Sequence, residues 1–331
     1  MKIITIYIYE NALSSTITGP MDLFSSAGIM WNYFMDQEID PHFMVELASI
    51  DGRPVRCFNN LTIEAHKSID EVEETDLILV PAVADDIDRA LGDNRKAFPW
   101  LAAHGKKGTL LASVCTGAFL LAESGVLDGR KAATHWAYAG MFRERYPNVR
   151  LETRPLVTRD GNTICTAGSS SWGELSLYLV QAFCGKQVAV ECSKSLLLDM
   201  SRTQQAPYGV LTLPNHHQDQ EILKIQEWLQ GHYREKISLD DLASRFSMSE
   251  RTFKRRFKKA TGGSPLGYLQ KVRIEAAKGY LEQSNRTLEE VVFNSGYEDV
   301  SFFRKLFKRH TGLSPNEYRK HFSVWDRAGE A

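Results

Sequence analysis

The sequence has no CxxC pair, and its five cysteines (Cys57, Cys115, Cys165, Cys184 and Cys192) are scattered and odd in number. Disulfide frameworks and zinc sites both need recurrent close spacings, so neither is expected and a reducing cytoplasm is the simpler setting. The pair His216-His217 has no ligand partners at metal spacing, so no metal or cofactor is expected either. Long apolar runs are also missing. Stretches such as Leu77–Val83 fall far short of the ~20 residues a membrane-spanning helix needs, which excludes a membrane partner of that kind. After Met1 and Lys2 the chain runs straight into Ile3-Ile4-Thr5-Ile6-Tyr7-Ile8. That alternation reads as a buried strand, with no small-residue cleavage site behind it.

What is present is ordinary in bulk and uneven in distribution. The 331 residues are 43% hydrophobic and 24% charged, a soluble composition too long for one comfortable core. The net charge of −1 hides a split: residues 218–322 carry 20 Lys and Arg against 14 Asp and Glu, the rest 20 against 27. A basic segment joined to an acidic one suggests that only the C-terminal part meets a polyanion, although a solvated charged face would look the same.

The first ~190 residues alternate apolar runs with amphipathic stretches, the pattern of a parallel sheet flanked by helices. Strands are expected at Ile3–Ile8, Phe43–Ala48, Asp76–Val80 and Thr109–Val114, with a hairpin of Leu156–Thr158 and Asn162–Thr166 turned by Asp160-Gly161. Helices are expected at Met21–Met35, Arg95–His104, Thr116–Ser124, Ala137–Arg145, Trp172–Phe183 and Val188–Leu198. The organisation read from this is a domain over 1–200, a Ser/Gln/Pro-rich linker over 201–217, a helical domain over 218–322 and a tail over 323–331.

The helical domain contains an internal repeat. A shift of 50 residues places Phe253 on Phe303, Phe257-Lys258 on Phe307-Lys308, Thr261-Gly262 on Thr311-Gly312, Ser264-Pro265 on Ser314-Pro315 and Tyr268 on Tyr318. Each copy has the parts of a helix-turn-helix. In the first, Ser238 caps a helix at Leu239–Phe246, Ser247-Met248-Ser249 turns the chain, and a second helix runs to about Ala260. In the second, Leu288, Val291 and Val292 line the first helix, Gly296-Tyr297 makes the turn, and Asp299 or Ser301 opens the second helix. Phe253, Phe257, Phe303 and Phe307 face inward as core. Arg251, Lys254, Arg255 and Lys258, and then Arg304, Lys305 and Lys308, face outward. A helix with such a face fits a major groove. Trp228 and Trp325 read as packing residues.

Residues ~218–322 closely resemble the AraC/XylS family of bacterial regulators. The signature runs from Gly296-Tyr297-Glu298-Asp299 through Val300-Ser301-Phe302-Phe303-Arg304-Lys305 to Leu306-Phe307-Lys308, then Gly312-Leu313-Ser314-Pro315-Asn316-Glu317-Tyr318-Arg319. The resemblance implies two helix-turn-helix units joined by a long helix, about Pro265–Glu282, reading successive major-groove turns of double-stranded promoter DNA. By matching position, Arg251, Lys254, Arg255, Ser301, Arg304 and Lys305 are the base-reading residues, with Lys258 and Lys308 on phosphates. RNA polymerase is a further candidate partner.

In the N-terminal half, Ala112-Ser113-Val114-Cys115-Thr116-Gly117-Ala118-Phe119 carries an apolar strand into a cysteine and then a helix, a nucleophile-elbow arrangement. The helix dipole there is expected to lower the thiol pKa, with His135 as a candidate base. This half resembles the PfpI-like, class I glutamine-amidotransferase-like superfamily, most of all the sensor domains fused to AraC-type readers. The likeness rests on Gly19-Pro20-Met21-Asp22-Leu23-Phe24, the elbow, Leu127-Asp128-Gly129-Arg130-Lys131-Ala132-Ala133-Thr134-His135-Trp136 and Thr166-Ala167-Gly168. It implies a flavodoxin-like α/β fold with Cys115 at the carboxyl edge of the sheet.

Two departures count against catalysis. Enzymatic relatives carry a carboxylate where this chain has Thr16, and the protease type a histidine where it has Thr116. The favoured reading is a regulator whose N-terminal domain dimerises and binds a small-molecule effector, for which related sensors suggest an amino acid or amine. The pocket residues expected are Cys115, Thr116, His135, Trp136, Ser169, Ser170, Trp172 and Glu174. Glu174 would hold a cationic ligand, or would be only a helix-start carboxylate. A purely dimerising domain, and a cysteine-dependent amidase or deglycase fused to a DNA-binding domain, are the alternatives.

Overall fold

The computed structural model describes residues 1–210, 217–283 and 286–322. His216, Trp325 and the 323–331 tail lie outside the described residues. The chain divides into two compact units, Met1–Gln205 and the remainder from Ala206 onward.

The first unit is a seven-stranded sheet. Its strands in chain order are β1 (Lys2–Tyr7), β2 (Phe43–Ser49), β3 (Lys67–Ser68), β4 (Leu77–Val80), β5 (Leu110–Val114), β6 (Val157–Asp160) and β7 (Thr163–Thr166). They lie in the order β6-β7-β5-β4-β1-β2-β3, parallel except for the β6–β7 hairpin. Every residue of β4 and β7 is buried, as expected of strands covered on both faces. The covering helices are α1 (Ser15–Ser26), α2 (Met30–Phe34), α3 (Ile87–Asp93), α4 (Ala97–Lys107), α5 (Ala118–Glu123), α6 (Ala139–Arg145), α7 (Trp172–Cys184) and α8 (Lys186–Leu196). This is the flavodoxin-like α/β arrangement expected from the sequence.

Three local expectations change. The single helix over Met21–Met35 is two helices, because the chain becomes extended at Ala27 and left-handed at Gly28. Its first half begins six residues earlier than Met21, with Pro20 inside the helix. The segment expected to open the linker belongs to the first unit: the Leu156 N–H donates to Thr203 O at 2.9 Å and the Gln205 N–H to Arg154 O at 3.0 Å. Gln205 there is buried and its side-chain amide is hydrogen-bonded within the domain, which composition alone could not reveal.

The second unit is helical: α9 (Gln220–His232), α10 (Leu239–Arg245), α11 (Glu250–Thr261), α12 (Pro265–Gln283), α13 (Leu288–Asn294), α14 (Val300–Thr311) and α15 (Pro315–Phe322). Ser238, Ser249, Thr287 and Asp299 cap the helices that follow them, so Asp299 and not Ser301 opens α14. The repeat survives in the packing. Phe257 meets Tyr268 edge-on at 5.4 Å, and Phe307 meets Tyr318 the same way at 5.4 Å. Among the described residues no helix is long and apolar enough to cross a membrane.

Candidate effector pocket and nucleic-acid interface

The elbow forms where the sequence places it. β5 ends at Val114, Cys115 takes a left-handed φ of 55°, and a single tight turn leads into α5. A non-glycine residue held there is strained, and such strain gathers at functional sites. Gly117 is required by close approach: a Cβ would collide with the carbonyl oxygens of Val80 and Pro81 at the end of β4. The neighbouring loop is held by two threonines. Thr116 Oγ1 donates to Val83 O at 2.7 Å, and the buried Thr16 hydroxyl accepts from the Ala82 N–H at 3.0 Å. Thr16 is therefore a strut between α1 and the loop after β4.

The expected lowering of the Cys115 pKa is overturned. Cys115 is only 6% exposed, and burial pushes its thiol up, against the opposing hydrogen bonds of Thr116, Gly168 and the His135 backbone. Desolvation outweighs those hydrogen bonds. His135 approaches through its main chain. Its imidazole Nδ1 accepts the Ala137 N–H at 3.2 Å, and among the described residues no hydrogen bond joins ring and thiol. Burial also lowers the imidazole pKa.

Of the expected pocket residues, the structure gathers Cys115, Thr116 and His135 around one point, with Gly168 as an unforeseen fourth. Ser169, Ser170 and Trp172 follow Gly168 in the turn that opens α7, and the Trp172 ring lies where a Cβ on Gly19 would be. The Trp136 N–H donates to Gln205 Oε1 at 3.1 Å, while Gln205 Nε2 donates to Thr134 O at 3.2 Å. Thr134 Oγ1 in turn donates to Cys115 O at 3.0 Å. Gln205 thus braces the wall of the elbow. Its place in a polar stretch gave no sign of this.

Glu174 stands apart from that group. It is paired with Arg202, which also donates from Nη1 to Ser170 Oγ at 3.2 Å. It lines a separate cavity of about 300 Å³ with Val157, Leu177, Tyr178 and Met200, to which neither Cys115 nor His135 contributes. Tyr9, not foreseen, lies under the elbow. It is buried, its hydroxyl donates to Pro81 O at 2.7 Å, and burial together with the Tyr7, Cys115 and Cys57 groups raises its pKa.

In the second unit, Arg251, Lys254, Arg255 and Lys258 on α11 and Ser301, Arg304, Lys305 and Lys308 on α14 are all exposed. Phe253, Phe257, Phe303 and Phe307 are wholly buried beneath them. Lys254 pairs with Glu250 one turn earlier. Arg256 faces the other way and grips Asp219 through Nε at 3.0 Å and Nη2 at 2.6 Å. Phe302, 48% exposed on the first turn of α14, adds an apolar surface that the sequence reading left unassigned.

Residues 2–182 match the model of the DJ-1/PfpI family. The chain belongs to that family. A second model, described as a helix-turn-helix domain, matches residues 242–321, beyond the DJ-1/PfpI domain. The AraC/XylS-type assignment of the C-terminal unit stands on that match and on relatives that share both halves. The HTH-type transcriptional regulator GbdR of Pseudomonas aeruginosa is 28% identical over 276 residues, 82% of this chain and 73% of GbdR. CdhR of the same organism, also an HTH-type transcriptional regulator, is 26% identical over 279 residues, 82% of this chain and 80% of CdhR. The crystal structure of Drosophila melanogaster DJ-1beta superposes with a TM-score of 0.51 at 21% identity, over 60% of this chain and 98% of that one. That likeness concerns the fold of the DJ-1/PfpI domain.

Proposed function

We propose that this chain is a sequence-specific transcription regulator in which α11 and α14 read promoter DNA and the DJ-1/PfpI domain senses a small molecule. The observation that carries the reading is the duplicated helix-turn-helix. Each second helix buries two phenylalanines and turns a cationic face to solvent, joined on α14 by the Ser301 hydroxyl. Phosphate contacts from such a face position the protein, and bidentate arginines discriminate bases. The test is selection of bound duplexes from a random-sequence pool by the full chain. A bipartite motif with subsites about one helical turn apart is expected. Equal retention of all duplexes in the presence of competitor DNA would sink the reading.

The DJ-1/PfpI domain is assigned binding rather than turnover. A thiol raised by burial, a threonine at position 16 and an imidazole engaged elsewhere all favour that role over an amidase. The effector class that fits Glu174 is an amine or amino acid, whose ammonium would compete with Arg202 for the carboxylate. Homodimerisation through this domain, a cytoplasmic setting and contact with RNA polymerase belong to the same proposal. Thermal unfolding against a panel of amines and amino acids tests the effector, since a ligand at 100 times its Kd stabilises by about 2.7 kcal/mol.

A further inference from the structure

The C-terminal unit holds two separate hydrophobic clusters. One gathers Ile225, Leu229, Leu242, Phe253 and Phe257, the other Val291, Val292, Phe303, Phe307 and Tyr318. α12 serves both: Tyr268, Leu269 and Val272 lie in the first cluster, Ile274, Ala277 and Leu281 in the second. Burial within each cluster fixes each helix-turn-helix internally. Because α12 is one continuous helix packed into both, the angle between them is set by α12 together with the polar contacts that cross its midpoint.

The changeover from one cluster to the other falls at Arg273. Its Nε donates to Tyr233 O at 2.7 Å and its Nη2 to Glu235 O at 2.8 Å, gripping the segment that follows α9 in the first half. Its guanidinium carbon lies 5.1 Å from the centre of the Tyr297 ring, in the turn that leads into α14. Gly296 completes the seat. At a φ of 80° it presses so close that an added Cβ would lie 2.7 Å from Tyr233 O and 3.0 Å from Arg273 Nε. A second polar tie, Tyr233 to Tyr280 at 3.1 Å between hydroxyls, reaches only α12 and not the turn carrying α14. A planar guanidinium with two fixed donors and a stacking face defines an orientation, which a single rotating ammonium does not.

We propose that Arg273 is a positioning residue that fixes the angle and separation of α11 and α14, and so determines which spacing between two DNA subsites the chain accepts. This rests on the DNA-reading assignment above. One inserted base pair moves a subsite by about 3.4 Å and rotates it by about 35°, so a rigid pair of readers must reject it.

The experiment uses the full chain and the duplex it selects from a random pool. Derivatives of that duplex carry one or two base pairs added or removed between the footprinted subsites, and one keeps a single subsite. The wild-type chain is expected to lose affinity about tenfold for each one-pair change, the size of a mismatch penalty. For Arg273→Ala the same changes should cost no more than about twofold, with single-subsite affinity unaltered. Arg273→Lys, which keeps the charge and loses the fork, should retain the wild-type salt dependence while its spacing profile broadens. If Arg273→Ala does not fold, Tyr297→Leu, which leaves both carbonyl hydrogen bonds in place, carries the same expectation. A variant with the wild-type spacing profile overturns the inference. So does one weakened equally on every duplex, the single subsite included, since that would make Arg273 a folding residue only. A wild-type chain that selects no duplex overturns the DNA-reading assignment itself, and the inference with it.

Discussion

Glu174 holds Arg202 through both carboxylate oxygens, Oε1 at 2.5 Å from Nε and Oε2 at 2.8 Å from Nη2. The pair is largely sheltered, with the Glu174 side chain 12% exposed. It fastens the stretch that runs on through Thr203 and Gln205, themselves hydrogen-bonded to Leu156, Thr134 and Trp136, to the wall of the elbow. That stretch leads directly into Ala206, where the second unit begins. A ligand that took Glu174 from Arg202 would free that stretch from one of its ties to the domain.

Substitution of Glu174 tests this. Glu174→Gln keeps the shape and removes the charge, so the hydrogen bonds to Arg202 weaken by about 1–3 kcal/mol. Hydrogen exchange at residues 199–205 should accelerate, while exchange in β1, β4 and β5 stays unchanged. Unaltered protection of 199–205 would show that Thr203 and Gln205 hold the stretch unaided.

The parts of this protein legible in its sequence are those governed by local rules. The repeat was readable because caps, turns and the i, i+4 pairs Phe253–Phe257 and Phe303–Phe307 are written within a few residues of one another. The elbow was readable for the same reason. The roles of Gln205 and Arg202 were not, since their partners stand 28 to 71 residues away and a Ser/Gln/Pro-rich stretch looks the same packed or free. The sign of the Cys115 shift was missed because it is a contest. The helix end visible in the sequence favours the thiolate, and the burial that defeats it belongs to the assembled fold.

On DNA, two cations should behave differently. Arg255→Ala should lower affinity for the selected duplex by about 1–3 kcal/mol and leave non-specific binding nearly unchanged. Lys308→Ala should weaken all duplexes alike and reduce the salt slope by about one. Fluorescence anisotropy from 50 to 200 mM salt separates the two; equal losses on every duplex from both changes would mean the reading residues are misassigned.

Asp219 has two duties: its side chain caps α9 at the Ile222 N–H and grips Arg256 on α11. That hydrogen-bonded guanidinium holds its carboxyl below the usual carboxylate range. A depressed folded-state pKa adds stability that is present above the unfolded value near 3.8 and lost as pH falls through the folded one. Asp219→Asn preserves the cap and should cost about 1 kcal/mol or less, because the pair is partly exposed. Asp219→Ala also removes the cap and should cost about 1 kcal/mol more. In acid titrations followed by circular dichroism, the wild-type advantage over Asp219→Asn should shrink below pH 4. An advantage constant through that range would place the effect outside the ion pair.

Cys115 supplies the opposite sign. Burial raises its thiol above the ordinary value of 9.0, so the folded state favours the protonated form. Stability from this source is complete below the unfolded thiol pKa and is lost as pH rises through the folded one, a decline that Cys115→Ser should lessen. Reactivity follows the same logic, because the thiolate is the nucleophile. At pH 7, carboxamidomethylation of Cys115 in the folded chain should be slower than that of the same cysteine in the denatured chain. Its rate should still be climbing at pH 9, where an ordinary cysteine has begun to level off. Site-resolved mass spectrometry of timed reactions gives both profiles. A plateau reached by pH 7 would mean a thiolate stabilised by the elbow despite its burial, and would favour the hydrolase alternative for this domain over binding.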